Sequence, residues 1–504
     1  MKSKKAILNI STEALSKLSL LLLGIFLPKL YIENYGSEIN GLISSLTGIF
    51  VYLNLLEAGV GGASIQALYS PLSNKDTNKI NGVLSATNIF YKKTGVYFLA
   101  CVSFLAFIYP AVVNSELKFS LIVIIILITA IPPALRFFYQ GKYIVLLNAD
   151  NKMYILNLFS TIFNILSNGI KILLILSGEN IIFVQSSFAV ISILEVIVTH
   201  FYIKHKYPNF SFRSNPDHDS ISKKGSVLIH QIASTIFNNI DVLLLTIACD
   251  LKVVSVYTVY NMIFMQTGFL VKTISNGLTA SFGHLFFENK IKFKQIFNCF
   301  ETYFQAIVFS VFVSAGILTL PFLNLYIDEE YKIEYIDNYL PILFMIVHIL
   351  SNVRWPAVIA INVAGHFKET QWRAIIEMII NLTLSIVLVM RIGIYGVLIA
   401  TIIALTYRSI DMIIYLYVNI IKENVIKQFM KIILYGFLAA ILIYIYPQFN
   451  ITINNFLMFF IVAIVVFTSI TILFIVIALL IERNAARTSL ELYRKLSKKK
   501  RLYE

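Results

Sequence analysis

Apolar runs of about 20 residues or more follow one another through almost the whole sequence, the first beginning near residue 8 and the last ending near residue 481. Each is long enough to cross the roughly 30 Å hydrocarbon core of a bilayer as a helix. Inside lipid every backbone N–H and C=O needs a partner within the protein, so only helices and closed barrels can span. Barrel strands alternate polar and apolar residues over about ten positions, whereas these runs are longer and continuously apolar. The sequence therefore predicts an all-α integral membrane protein with about fourteen transmembrane helices. Composition agrees, with 58% of residues hydrophobic and 13% charged, against about 25% charged in soluble domains.

The spans group as six, six and two. The longest internal polar stretch, KHKYPNFSFRSNPDHDSISKKG from Lys204 to Gly225, is rich in Pro, Asn, Asp and Ser and reads as a loop. The expected organisation is an N-terminal six-helix lobe over 1–203, an inter-lobe loop over 204–224 and a C-terminal six-helix lobe over 225–421. Helices 13 and 14 follow over 422–482, then a basic tail over 483–504. The halves echo one another. The turn ENYGSEINGL precedes EAGVGGAS by some twenty residues, and ACDLKVVSVY precedes TISNGLTAS at nearly the same distance. Gly-interrupted segments at matching positions of two halves point to a transporter's central site.

An even number of spans places both termini on one side. That side carries 28 Lys/Arg residues, against Lys118, Lys252, Lys332 and Arg391 on the other. The positive-inside rule then puts both termini in the cytoplasm. The formal net charge of +14 reflects this topology. Its dispersal over membrane loops argues against nucleic-acid binding, while the tail RKLSKKKRLYE reads as a last anchor or a contact with anionic membrane lipids. The opening MKSKK precedes a run interrupted by Glu13 and Lys17, which favours an uncleaved first helix over a signal peptide.

Enzyme signatures are missing from the sequence. GVGG lacks the Lys-Ser/Thr of a phosphate loop, and there is no paired-His motif, Gly-x-Ser-x-Gly elbow or Cys-x-x-Cys. Cys101, Cys249 and Cys299 are scattered, and His200, His230, His284, His348 and His366 have no ligand spacing. The expectation is a non-enzyme without metal or cofactor.

Ionisable residues at membrane depth stand out instead, since each costs about 2.5–3.5 kcal/mol at a helix centre and so usually faces a bundle interior or a watery cavity. In the first half these are Glu13, Lys17, Glu57, Arg136, Lys171 and Glu195; in the second, Asp241, Lys272, Arg354, Glu377, Arg408 and Asp411. Glu13 and Lys17, four apart, either pair along one helix face or line a cavity. Arg408 and Asp411, three apart, read as a structural pair. Lys171 and Glu377 are near enough to helix ends to snorkel. Arg136, Lys272 and Arg354 have no acid within one turn, which favours a functional role. In NNIDVLLL, the notch of Asn238, Asn239 and Asp241 suits helix–helix hydrogen bonding or ligand contact equally.

The stretch LLEAGVGGAS places Glu57 beside Gly59, Gly61 and Gly62 in a would-be span. Small residues let a neighbouring helix approach or the segment bend, and Glu57 then needs water or a cation. Added side chains at Gly61 and Gly62 are expected to be poorly tolerated. The candidate substrate-binding set is Lys17, Glu57, Arg136, Asp241, Lys272 and Arg354.

The segment PKLYIENYGSEINGLISSLTGIFVYLNLLEAGVGGASIQAL, with NNIDVLLL and VYTVYNMI at the start of the second half, resembles the polysaccharide flippases of the multidrug/oligosaccharidyl-lipid/polysaccharide exporter superfamily. The resemblance covers nearly the whole chain. It implies two lobes around a cavity that opens alternately to either side, moving a polyprenyl-pyrophosphate-linked oligosaccharide to the outer leaflet, with H+ or Na+ as a coupling ion. Related lipid-linked peptidoglycan precursor flippases use cations in their first and eighth helices, to which Lys17 and Lys272 correspond by depth and helix number. Lysines here stand where those relatives favour arginine, which weakens an analogy to bidentate phosphate binding. The rival readings are multidrug or other lipid export on the same fold, and a membrane polysaccharide polymerase or ligase. The short acidic segment around Asp328 to Asn338 leaves the latter little room.

Overall fold

The computed structural model describes residues 12, 16, 23–57, 60–212, 214–221, 225–449, 453–483, 485 and 487–489; for 221, 225–234, 269–270, 272–281, 284, 333, 367–368, 447 and 449 it describes the backbone alone. All regular structure among these residues is helical. Among the described residues, ten helices are long and apolar enough to cross a membrane, and Thr235–Ala248 adds a shorter apolar one. The chain is an all-α, multi-span membrane protein, as its hydropathy dictates.

Two compact units divide the chain, Met1–Thr258 and Val259–Glu504. The first contains helix α1, described over 23–35, then α2 (Ser37–Leu53), α3 (Val60–Asn74), α4 (Thr77–Val112), α5 (Phe119–Leu135), α6 (Gly141–Ala149), α7 (Met153–Leu176), α8 (Ile181–Lys206), α9 (Gly225–Ala248) and the start of α10 (Leu251–Glu288). The second holds the rest of α10, α11 (Lys290–Tyr326), the single turn α12 (Lys332–Tyr335), α13 (Leu340–Val353), α14 (Trp355–Ala364), α15 (Phe367–Tyr415), α16 (Ile426–Ile445) and α17 (Phe456–Ile481).

Polar residues between the apolar runs start the helices by capping. Asp76, Asn180, Asn289 and Asn455 each accept a hydrogen bond from a backbone N–H in the first turn of α4, α8, α11 and α17, at 2.8–3.1 Å. Asp250 does the same for α10, accepting from Val253 N at 2.8 Å.

Irregular backbone interrupts or bounds several of the expected spans, each time for a local reason. The apolar run over 40–69 tightens into a 3-10 turn at Asn54–Glu57, and helix is described again from Val60. The span over 117–147 carries Pro132 and Pro133, which remove two backbone donors; the ladder then widens into a π-turn over Arg136–Gln140 before α6. The long helix α15 contains two expected spans and is kinked at Ile392 and Gly393, where Gly393 takes φ 53°, a left-handed value that glycine adopts without strain.

Close helix approach in the first unit is made at Gly41 of α2. A Cβ there would lie 1.8 Å from the carbonyl oxygen of Leu251. Around this contact Asn40 Nδ2 donates to Ser255 Oγ at 2.6 Å, while Thr246 Oγ1 and the Tyr109 hydroxyl both reach Ser45 Oγ, at 2.8 and 2.9 Å. The expectation for Gly62 is corrected: open space surrounds the position where its Cβ would stand. At Gly61 the Tyr91 hydroxyl would be 3.1 Å away.

Candidate functional site

The interruptions of α2 and α5 lie beside a cavity of about 570 Å³ within the first unit. The 3-10 turn supplies Asn54, and the π-turn brings Arg136 and Gln140 to the wall. Arg136 and Gln140, four residues apart, share one face of this turn and both line the space. Helix α7 contributes Asn157, Ser160 and Asn164, and α8 contributes Phe188, Ser192 and Glu195. Carboxamides and hydroxyls dominate the polar lining, with one cation and one acid.

Arg136 meets Glu57 at the break of α2, Nη2 to Oε1 at 2.9 Å. The arginine side chain is 46% exposed and the glutamate 19%. A guanidinium has five N–H donors, and the contact to Glu57 uses one of them on a side chain that lines the cavity. Glu57 Oε2 is buried, and the Tyr91 hydroxyl faces the same carboxylate. Glu195 hydrogen-bonds Gln140, which ties α8 to the π-turn.

The second unit holds a different arrangement of charge. Arg354 sits at the break between α13 and α14, and its Nη1 lies 2.5 Å from Glu377 Oε1. Glu377 Oε2 also faces Arg408 Nε at 3.4 Å, Arg408 Nη1 reaches Asp411 Oδ2 at 3.2 Å, and Arg373 pairs with the other Asp411 oxygen. The Arg373 guanidinium stacks 5.0 Å from the Tyr415 ring centroid, and the Tyr415 hydroxyl is 2.9 Å from His366 Nδ1. Among the described residues, three guanidinium groups pair with two carboxylates in this network.

The expected site residues are thus divided. Glu57 and Arg136 come together in the first unit. Asp241, also in that unit, is buried and accepts from the Tyr257 hydroxyl at 2.9 Å, so the polar notch of α9 serves a contact to α10. Its neighbour Asn239 turns back onto its own helix, donating to Thr235 O at 3.0 Å. Arg354 belongs to the second unit's network. Lys17 lies outside the described residues, and Lys272 is described only as a backbone position of α10.

Arg136 and Arg354 have no acid within a turn of their own helices, but the fold supplies one to each, so the reading of both as uncompensated cations is corrected. The acids are 79 and 23 residues away in the sequence, beyond any helical neighbour rule. The Arg408–Asp411 pair forms as expected, within a larger network. Lys171 and Glu377 do not snorkel: both are buried, at 8% and 7% exposure.

Sequence reasoning overlooked the polar face of α7. Asn157, Ser160, Thr161, Asn164, Ser167, Asn168 and Lys171 recur at three- and four-residue steps, the signature of a single helical stripe. Leu158, Ile162, Ile165, Leu166 and Leu173 form the exposed side. In water such a helix would bury its apolar face; in lipid the polar face turns inward, which is why the period was available as a signal.

No protein-family model matches this chain, and no curated protein matches it. Its fold is nevertheless shared with solved structures. The structure titled "Lipid II flippase MurJ, inward closed conformation" aligns over 94% of this chain and 99% of that one, with TM-score 0.70 and 17% identity. An inward-facing multidrug resistance MATE family transporter of the MOP superfamily aligns over 82% of this chain and 98% of its own, with TM-score 0.57 and 17% identity. At these identities the likeness is one of fold, and the fold is that of a lipid II flippase and of a MATE transporter.

Proposed function

We propose that this chain is a transporter that flips polyprenyl-pyrophosphate-linked oligosaccharide units across the cytoplasmic membrane by alternating access, in surface polysaccharide biosynthesis. The observation that carries the reading is the first unit's cavity. Its carboxamide and hydroxyl lining matches the donors and acceptors of sugar hydroxyls, and Arg136 presents spare N–H donors beside them. The fold shared with a lipid II flippase supports a lipid-linked substrate. In this reading Lys17, Lys272, Arg136 and Arg354 favour the pyrophosphate, both termini are cytoplasmic, and the residue ranges 1–203 and 225–421 are the two lobes.

Glu195 on the cavity wall, with the Glu57 carboxylate beside Arg136, favours a second reading, export of an organic cation on the same fold. Deleting the gene in its host separates the two. A flippase leaves lipid-linked oligosaccharide accumulating on the cytoplasmic face and the cell surface depleted of polysaccharide. A cation exporter leaves both unchanged and sensitises cells to cationic dyes. Complementation sharpens the result: Lys17→Gln, Lys272→Gln and Arg354→Gln combined, at normal membrane abundance, are expected to abolish export, and full export by that variant sinks the anionic reading.

A further inference from the structure

The inward stripe of α7 does not end at the cavity. Asn164 is its last cavity-lining member, and Ser167, Asn168 and Lys171 continue it by two more turns. Asn164 and Asn168 donate their Nδ2 groups to carbonyls of their own helix, at 2.7 and 2.8 Å to Ser160 O and Asn164 O. Their side-chain oxygens are left to accept. Beyond them the pattern changes, because Ser167 is 1% exposed and its hydroxyl has no hydrogen-bond partner among the described residues. Lys171, one turn further, is 8% exposed and makes no hydrogen bond or ion pair among the described residues. Its ammonium is set over the face of Phe188, 4.2 Å from the ring centroid. Phe188 belongs to α8 and also lines the cavity.

A buried ammonium without a counter-ion and a buried hydroxyl without a partner, on one helix face, are both unfavourable for folding alone. The aromatic face offsets part of the charge's desolvation. Both groups are hydrogen-bond donors, and the four-carbon stem of a lysine gives its head group reach. An anionic oxygen entering past Phe188 would satisfy both at once.

We propose that Ser167 and Lys171 form an anion subsite at the end of the first unit's cavity, with Phe188 as the ring that covers Lys171 until an anionic group displaces it. The proposal rests on the transport reading above and extends it: the substrate's charged group is taken by α7 while its hydroxyl groups lie along Asn157, Ser160 and Asn164. That group is a phosphate of the lipid carrier or the carboxylate of an acidic sugar, which share the chemistry of a delocalised anionic oxygen pair.

The test uses the full chain in nanodiscs of zwitterionic lipid, with inorganic pyrophosphate and glucuronate as separate calorimetric probes. Saturable binding of pyrophosphate is expected if the carrier is the source, and of glucuronate if the sugar is. Lys171→Gln should weaken that binding at least about tenfold, roughly the weight of one charge-assisted hydrogen bond. Lys171→Arg should stay within about threefold, and Ser167→Ala should fall between. Lys171→Met should also raise the melting temperature, by about 2 °C, because it removes a desolvated charge; a purely structural lysine predicts a lower value. Equal binding by the wild type and Lys171→Gln, or binding of neither probe by the wild type, overturns the subsite. If Lys171-dependent binding is found but the deletion strain accumulates no lipid-linked oligosaccharide, the subsite stands and the flippase reading falls.

Discussion

Single residues in this protein are governed by what faces them across a helix boundary. Glu377 holds two guanidinium groups, from Arg354 and Arg408, and it and Arg408 are almost wholly buried. Removing one partner of such a pair leaves the other charge buried and uncompensated, which costs about 3–5 kcal/mol. Glu377→Gln is therefore expected to lower the thermal stability of the purified protein sharply, whereas Glu57→Gln, beside a half-exposed Arg136, should change stability little and act on transport instead. Glycines divide in the same way. Gly41→Ala drives a Cβ into the Leu251 carbonyl and should lose folded protein by more than about 4 kcal/mol, as overpacking against backbone does at its worst. Gly62→Ala meets open space inside a helix and should be neutral or stabilising by about 0.5–1 kcal/mol. Detergent-extracted yield and melting temperature of the two variants check the contrast.

At the scale of elements, the connection after α8 behaves as a strap laid along α4. Ser211 N donates to Asn81 Oδ1 at 2.8 Å, Asn88 Nδ2 to Phe212 O at 3.1 Å, Ser214 N to Ser85 Oγ at 2.9 Å and Asp217 N to Gly82 O at 3.1 Å. The docking positions on α4, namely 81, 82, 85 and 88, share one helical face. The Ser85 and Ser214 hydroxyls add a fifth bond at 3.0 Å, so Asn81→Ala with Ser85→Ala removes three of the five and should make the strap cleavable by trypsin under conditions that leave the wild type intact. Asp217 adds a pH dependence. Its carboxylate accepts from the Ser220 hydroxyl and N–H, at 2.6 and 3.1 Å, which holds its pKa below the usual aspartate range. A lowered folded-state pKa contributes stability that is present above about pH 4 and lost as pH falls through the folded value. Cleavage of the wild-type strap by an acid-active protease should rise below that range, and Asp217→Asn should remove the pH dependence.

For the molecule as a whole, charge asymmetry between the two sets of loops predicts that residue 215 is cytoplasmic and residue 330 is external. Both side chains are exposed. Single cysteines at Asn215 and Glu330, in a background with Cys101, Cys249 and Cys299 replaced, should label oppositely with an impermeant thiol reagent on intact cells, at 330 and not at 215. The reverse pattern would invert the topology.

The amino-acid sequence by itself determined that the chain spans a membrane many times as helices, because hydropathy over about 20 residues is a local quantity and lipid leaves the backbone no other solution. It also determined where the helices begin, through Asp76, Asn180, Asn289 and Asn455, and which ionisable residues stand at membrane depth. The π-turn after Pro132 and Pro133 was foreshadowed by the prolines, though its phase was not. The polar period of α7 was present in the sequence, while its turning inward toward a cavity required its neighbours. Only the tertiary structure decided which charges are compensated: Glu57 meets Arg136, Glu377 meets both Arg354 and Arg408, and Lys171 meets the face of Phe188. Each of these partners is separated from the residue it serves by a helix boundary or, for Glu377 and Arg408, by the kink of α15 at Ile392 and Gly393, so no window of local sequence contains the pair. The compensation of a buried charge depends on distance in space, and that is set only when the helices pack.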